Sequence, residues 1–301
     1  MKTFALDQEY LHCVNDLAAC GVLEQLPKAN TPGVIGFDGV EYPLPTLEQV
    51  SVLFERNQSL VTQKKAQGFV RLEITPLALA LPGLCELLRS AIIRHGEAGT
   101  LYQTRRTEAE PLVPLRVNLE RHVWVWETMR EVFDTDALRY FPRDYHGDPV
   151  GQTKADVLVD KSICAFPGWS VGLVEDLPFL PKQGEGLTLS GRKQLEICLS
   201  PRESLQLLNE EPYAEESGRT IEEFILNFLI RLETSNQVSH DVADENALWC
   251  LGQYVRISYA EVVPTGRWIR QLGRVRLDMH RTGNKKCAQA FGVSTVVRLQ
   301  G

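Results

Sequence analysis

No stretch of the chain is long and apolar enough to cross a bilayer. The longest uncharged apolar run, residues 74–85, is broken by Pro76, Pro82 and Gly83 and falls well short of the roughly 20 residues that a spanning helix needs. The amino terminus, Met1-Lys2-Thr3-Phe4-Ala5-Leu6-Asp7-Gln8-Glu9, has acids where a signal peptide has its apolar centre, so the mature chain is expected to start near Met1. Cysteine has no usable pattern either: Cys13, Cys20, Cys85, Cys164, Cys198, Cys250 and Cys287 are odd in number and never stand as C-x-x-C. Such spacing argues against a disulfide framework and against a zinc ribbon. A reducing cytoplasm is therefore the expected location, most thiols are expected to be small buried hydrophobes, and neither a metal nor a cofactor is expected. Internal repeats and low-complexity segments are also lacking.

What is there is ordinary folded material. The 301 residues are 44% hydrophobic and 24% charged, far from the composition of disordered chains and enough to build a sizeable core. At this length one large domain and two of about 150 residues are both open. The segment 105–114, which mixes charge with Pro111 and Pro114, is the best linker candidate. It divides a helix-rich part, 1–107, from a mixed part, 108–301.

Helix signals are clearest where caps precede apolar periodicity. Tyr10, Leu11, Val14, Leu17 and Ala18 repeat at helical spacing ahead of Gly21, a natural stop. Thr46-Leu47-Glu48-Gln49 has the form of a capping box opening a helix that ends near Gly68, and a further helix is expected over 84–95. Ser200-Pro201-Arg202-Glu203 and Thr220-Ile221-Glu222-Glu223 repeat the device ahead of strongly apolar faces. A short helix is expected over 155–162.

Strands are expected where apolar and charged residues alternate, as over 69–74, and at 169–174. Asp38-Gly39 suggests a tight hairpin between 34–35 and 40–42. Residues 115–119 and 122–126 read as two strands, with a helix over 119–133 as the alternative. From Trp249 the pattern turns to strands at 249–257, 273–279 and 293–299, separated by Pro264, Gly266 and Gly283-Asn284. The whole reads as α+β with a helix-rich N-terminal part, a strand-rich C-terminal part and mainly antiparallel sheet.

The motifs weigh mostly toward structure. Residues 184–193 carry glycines and a lysine like a phosphate loop. They lack the preceding strand, the serine or threonine after the lysine and the following helix, so a Gly-rich hairpin is expected. Residues 147–154 fail in the same way. Among the six histidines, His240-Asp241 with Asp244 and Glu245 is the densest group of potential ligands or acid–base residues, to be weighed against a solvated acidic loop; His122 and the His146-Gly147-Asp148 run form a second, weaker grouping. Cys164, before the Phe166-Pro167-Gly168 turn, is the least poor candidate for a nucleophile, although nothing adjacent would activate it. Trp124 and Trp126 would share one face of a strand, either as core or as an aromatic platform.

Charge is uneven. Residues 203–245 hold eleven acids against two arginines, a net of −9, and residues 266–301 hold eight bases against Asp278, a net of +7. The basic segment either presents Arg267, Trp268, Arg270, Arg274 and Arg276 to nucleic acid or packs against the acidic helices. The second is preferred, since Arg274, Arg276 and Asp278 would share one sheet face.

Residues 64–69, 168–176, Gly191-Arg192-Lys193 and 291–299 resemble a group of uncharacterised bacterial proteins of similar length, a resemblance that brings with it no function and no site residues. The closing segment is also similar, over about ten residues, to the last strand of C-type-lectin-like domains, which is too short for a motif. The expectation is a binding or interaction protein without catalysis, in a bacterial or phage cytoplasm. The alternatives are a hydrolase built around His240 and Asp241, and a nucleic-acid binder using the basic segment.

Overall fold

The computed structural model describes residues 4–145, 151–177, 180–284 and 290–301, so His146, Asp148, Lys285, Lys286 and Cys287 lie outside the described residues. The chain is α+β, and most strand pairs are antiparallel. Among the described residues, no helix is long and apolar enough to cross a membrane.

The first helix, α1 (Leu6–Ala19), buries Cys13 and Leu17 on one face and ends just before Gly21, whose φ of +68° costs glycine little. A small antiparallel ribbon follows, made of β1 (Glu24–Gln25), β2 (Pro32–Ile35) and β3 (Glu41–Pro43), with the Asp38-Gly39 turn joining the last two. The Thr46 capping box is complete: its hydroxyl accepts from the Gln49 amide at 3.3 Å, and the Gln49 side chain accepts from the Thr46 amide at 2.9 Å. The single helix expected to reach Gly68 is instead two, α2 (Leu47–Arg56) and α3 (Gln58–Ala66). The break is at Asn57, whose side-chain amide donates to the carbonyls of Leu53 and Gln300.

Strand β4 (Phe69–Pro76) has the expected alternation, although Arg71 and Glu73 on its polar side are half covered. Helix α4 (Leu81–Glu97) spans slightly more than the sequence suggested. Residues 115–119 form no strand; β5 (Val123–Val125) does, and Trp126 becomes the N-cap of α5 (Glu127–Glu131), so the two tryptophans do not form a shared strand face. Next come β6 (Leu138–Tyr140), α6 (Lys154–Val159) and β7 (Trp169–Glu175), every residue of which is buried. The glycine-rich segment is a hairpin of β8 (Thr188–Leu189) and β9 (Arg192–Lys193), while 194–197 is not a strand.

Capping boxes at Ser200 and Thr220 start α7 (Pro201–Leu208) and α8 (Ile221–Ser235), with β10 (Ser217–Gly218) between them. Beyond lie β11 (Ala247–Trp249), β12 (Gln253–Ile257), β13 (Ala260–Ile269), β14 (Arg274–Arg281), β15 (Phe291–Gly292) and β16 (Thr295–Arg298). Pro264 and Gly266 do not separate strands as expected but lie inside β13. Pro264 falls where β13 changes partner from β12 to β11, a position that demands no ladder donor. At Gly266 a Cβ would lie 2.4 Å from the Phe224 ring, so glycine is what lets α8 approach the sheet.

Two sheets frame the core. One has the order β10-β16-β7-β4; the larger runs β15-β11-β13-β12-β6, with β14 and β5 continuing from β13. Helix α8, buried along most of its length, packs against α1, α4, β4 and β13. The main core runs from Cys13 to Leu299, and a smaller one beneath α7 holds Leu205, Leu208, Trp249, Tyr254 and Phe291.

Candidate functional site

A cavity of about 360 Å³ opens between α1, α8 and the neighbouring strands β4 and β7. Its shape follows from the local chemistry. On α1, His12 and Asp16 stand one turn apart beside the buried Cys13 and Leu17. On α8, Asn227 and Arg231 interrupt the apolar stretch 224–232, again one turn apart. Strand β4 contributes Arg71 and Glu73, and the end of β7 contributes Glu175 followed by Asp176. Leu72, Ile74, Val174, Leu177, Leu180 and Ile230 supply the apolar lining.

Most charges in this wall are already paired. Arg219 grips Glu73 through two bonds of 2.9 and 2.8 Å and donates to Ser294 at 3.0 Å. Arg71 lies 3.2 Å from Asp176 and 3.3 Å from Glu9. Glu175 meets Arg192 at 3.3 Å, and Arg192 is itself held by Glu216 at 2.7 and 2.8 Å. Burial still pushes the Glu175 carboxyl up to about 7, because Arg192 only partly compensates and Glu216 adds repulsion.

Two charges are left over. Among the described residues the Arg231 guanidinium has no carboxylate within ion-pair distance: its Nε has no partner, and its other contact is to Gln237 Oε1 at 3.4 Å. Burial depresses its pKa, Asp176 offsets this in part, and the like charges of Arg105 and Arg71 depress it further. The Asp16 carboxylate makes no hydrogen bond or ion pair among the described residues. Burial raises its pKa against the pull of Arg71 and His12.

The sequence candidates are placed as follows. His240 lines the cavity but is 5% exposed, with its ring 5.2 Å from that of Phe224 and both ring nitrogens lacking a well-formed hydrogen bond. Burial drives its pKa down to about 3, helped by Arg219, while the Asn246 main chain opposes the shift slightly. The imidazole is therefore neutral. Asp241 serves a different structure: its carboxylate accepts from the Ala243 amide at 2.9 Å and from Arg270 at 2.9 Å. Of the stretch weighed as a solvated acidic loop, His240 and Asp241 are buried, Asp244 is half-buried and Glu245 is exposed.

In the basic segment, Trp268 is fully buried and Arg267 is bound to Asp278 by two bonds of 2.9 Å. Arg276 joins the same carboxylate at 2.7 Å, and Arg270 also holds Asp244 at 2.7 Å. Burial opposes ionisation of Asp278, yet its bond to His280 and the Arg267 charge hold it well below the usual carboxylate range. Arg274 lies over the Trp124 ring at 5.9 Å, with Arg276 closer at 4.5 Å. Arg298, from the same basic segment, lies 2.7 Å from Glu223 of α8. Cys164 is buried, with its pKa pushed up to about 12 by desolvation, and an inert thiol follows. No group of three or more His, Cys, Asp or Glu side chains among the described residues could hold a metal ion.

The lining residues Asp16, Arg71, Asn227 and Arg231 are not evident from sequence reasoning. The available signal was polar side chains, Asn227 and Arg231, set four apart inside the apolar run of α8. Comparison with protein-family models, with curated proteins and with solved structures finds no match for this chain.

Proposed function

We propose that the chain is a binding protein without catalysis, and that its ligand is a small molecule held in the cavity between α1, α8, β4 and β7. The observation that carries this reading is the cavity wall itself, where one guanidinium and one carboxylate have no ion-pair partner among the described residues, beside an apolar lining. A volume of about 360 Å³ lies within the range of small-molecule pockets. Hydrolysis would need a nucleophile sharing a hydrogen bond with a base. In the cavity wall, Cys13 donates to the Leu72 carbonyl at 3.0 Å, Thr234 donates to the Ile230 carbonyl at 2.7 Å, and Ser294 accepts from Arg219. None of them, nor the Ser239 hydroxyl of the same wall, is hydrogen-bonded to His12 or His240. Nucleic acid finds less support, because the guanidiniums of Arg267, Arg270 and Arg276 are engaged by carboxylates.

The test is a thermal-shift screen of small metabolites against the wild type and an Ile230→Trp variant, whose indole fills the half-buried apolar side of the cavity. A ligand at about 100 times its Kd stabilises the folded state by about 2.7 kcal/mol. The expected result is a compound that raises the wild-type Tm and leaves the variant unmoved. Equal stabilisation of both proteins, or ester or phosphoester turnover that disappears in His240→Ala, would overturn the reading.

A further inference from the structure

The unpaired charges say more about the ligand. They have opposite signs, they stand on different helices, Arg231 on α8 and Asp16 on α1, and no ion pair joins them. Every other carboxylate and guanidinium lining the cavity is engaged within the protein. A pure anion would satisfy Arg231 and leave partly buried Asp16 with only the longer-range pull of Arg71 and His12; a pure cation would leave Arg231 with only that of Asp176. Burying a charge without a partner is costly, so the wall is best satisfied by a ligand that carries both.

The distribution of the remaining lining narrows the class. Leu72, Ile74, Val174 and Ile230 supply apolar surface to the same cavity, which asks for apolar substituents on the ligand. At about 360 Å³ the space exceeds what a single amino acid fills at the packing density of protein interiors. Ser239 and His240 line the same cavity and are 3% and 5% exposed; the Ser239 Oγ has no hydrogen-bond partner, and the His240 ring makes no well-formed hydrogen bond beyond its approach to the Asn246 main chain. With its ring neutral, His240 offers one donor and one acceptor, a set suited to a peptide group.

Resting on the binding reading above, we infer that the cavity takes a short apolar peptide with free ends, its terminal carboxylate at Arg231 and its terminal ammonium at Asp16. Peptide length is two to three residues, on the order of what the volume admits. Charge-assisted bonds at each end supply orientation, and the apolar lining supplies most of the contact area.

Calorimetric titration of the full chain with L-leucyl-L-leucine tests this, beside three controls: N-acetyl-leucyl-leucine, leucyl-leucine amide and free leucine. The dipeptide is expected to bind saturably and each control to bind about tenfold or more weakly, the loss that accompanies about 1.4 kcal/mol. Asp16→Asn should erase the penalty for N-acetylation, and Arg231→Gln the penalty for amidation. Neither variant strands a buried ion-pair partner, so both should fold, as circular dichroism will show. An acetylated peptide that binds as tightly as the free one overturns the zwitterion, and leucine binding as tightly as the dipeptide overturns the length; both leave the cavity reading intact. If none of the four binds, the inference falls, and the metabolite screen decides separately whether the cavity binds anything.

Discussion

Replacing Arg298 by methionine tests the buried ionic chain that runs from the cavity wall into the core. Arg298, on β16, is 8% exposed; its guanidinium lies 2.7 Å from Glu223 Oε1, donates to Ser170 Oγ at 2.7 Å and stacks over the Phe141 ring at 4.5 Å. Methionine keeps the apolar stem as far as about the Nε position and removes the charge. Glu223 would retain the Thr220 amide at 2.7 Å but lose its strongest electrostatic partner. Breaking one side of a buried pair costs about 3–5 kcal/mol, a large part of the roughly 5–15 kcal/mol by which domains are stable.

The pH dependence gives the sign. In the wild type, burial works against ionised Glu223, but Arg298 and Arg219 outweigh it, and the folded-state pKa is lowered. Glu223 therefore adds stability above its unfolded pKa and loses it as pH falls through the folded one. Without Arg298 burial dominates and the folded pKa rises, so the deficit of Arg298→Met is greatest at high pH and shrinks as Glu223 takes a proton. Urea unfolding at pH 8 and pH 5 measures both, and the double variant Arg298→Met, Glu223→Gln should regain most of the loss. A single variant within about 1 kcal/mol of wild type at pH 8, or a double variant no better than the single, would refute the argument, because a stranded carboxylate is the cause it invokes.

Thr220→Ala should cost about 1–2 kcal/mol, the upper part of the N-cap range, since the Thr220 side chain is fully buried; an unchanged denaturation midpoint would count against a role for the box. For Glu175, whose folded pKa of about 7 lies above the ordinary glutamate value of 4.5, the protonated form is the one folding favours. Its contribution is fully present below the unfolded pKa and is lost as pH rises through about 7. Glu175→Gln should gain stability relative to wild type across that window, and parallel stability curves for the two proteins would show the shift to be absent.

Local chemistry was legible in the sequence wherever a short pattern decides a short structure. Thr46, Ser200 and Thr220 each announce a helix start through a residue three positions on, and Asp38-Gly39 announces its turn. The α+β class followed from the same patterns. What failed depended on distant partners. Gly266 reads as a breaker until Phe224 is known to press on it, and Asn57 splits a helix because the Gln300 carbonyl reaches it from the other end of the chain. The cavity was hidden for the same reason. Arg71 and Arg231 look like ordinary exposed charges, and only the packing of α1 and α8 over β4 brings them to one wall. His240 misled in the opposite way, since its neighbours in sequence are acidic while its neighbours in space are Phe224 and two arginines.

The order of the smaller sheet has a consequence for biosynthesis. Leu72 pairs with Leu173 and Leu173 with Val297, each step spanning about a hundred residues or more, separations that slow folding by the cost of closing long loops. As the ribosome extends the chain, β4 waits for β7, and β7 then keeps one hydrogen-bonding edge open until β16 emerges to stand between it and β10. An uncovered, largely apolar strand of that kind is a template for pairing between nascent chains. Expression should therefore depend on translation speed and on holding chaperones more steeply than the stability of the finished protein would suggest.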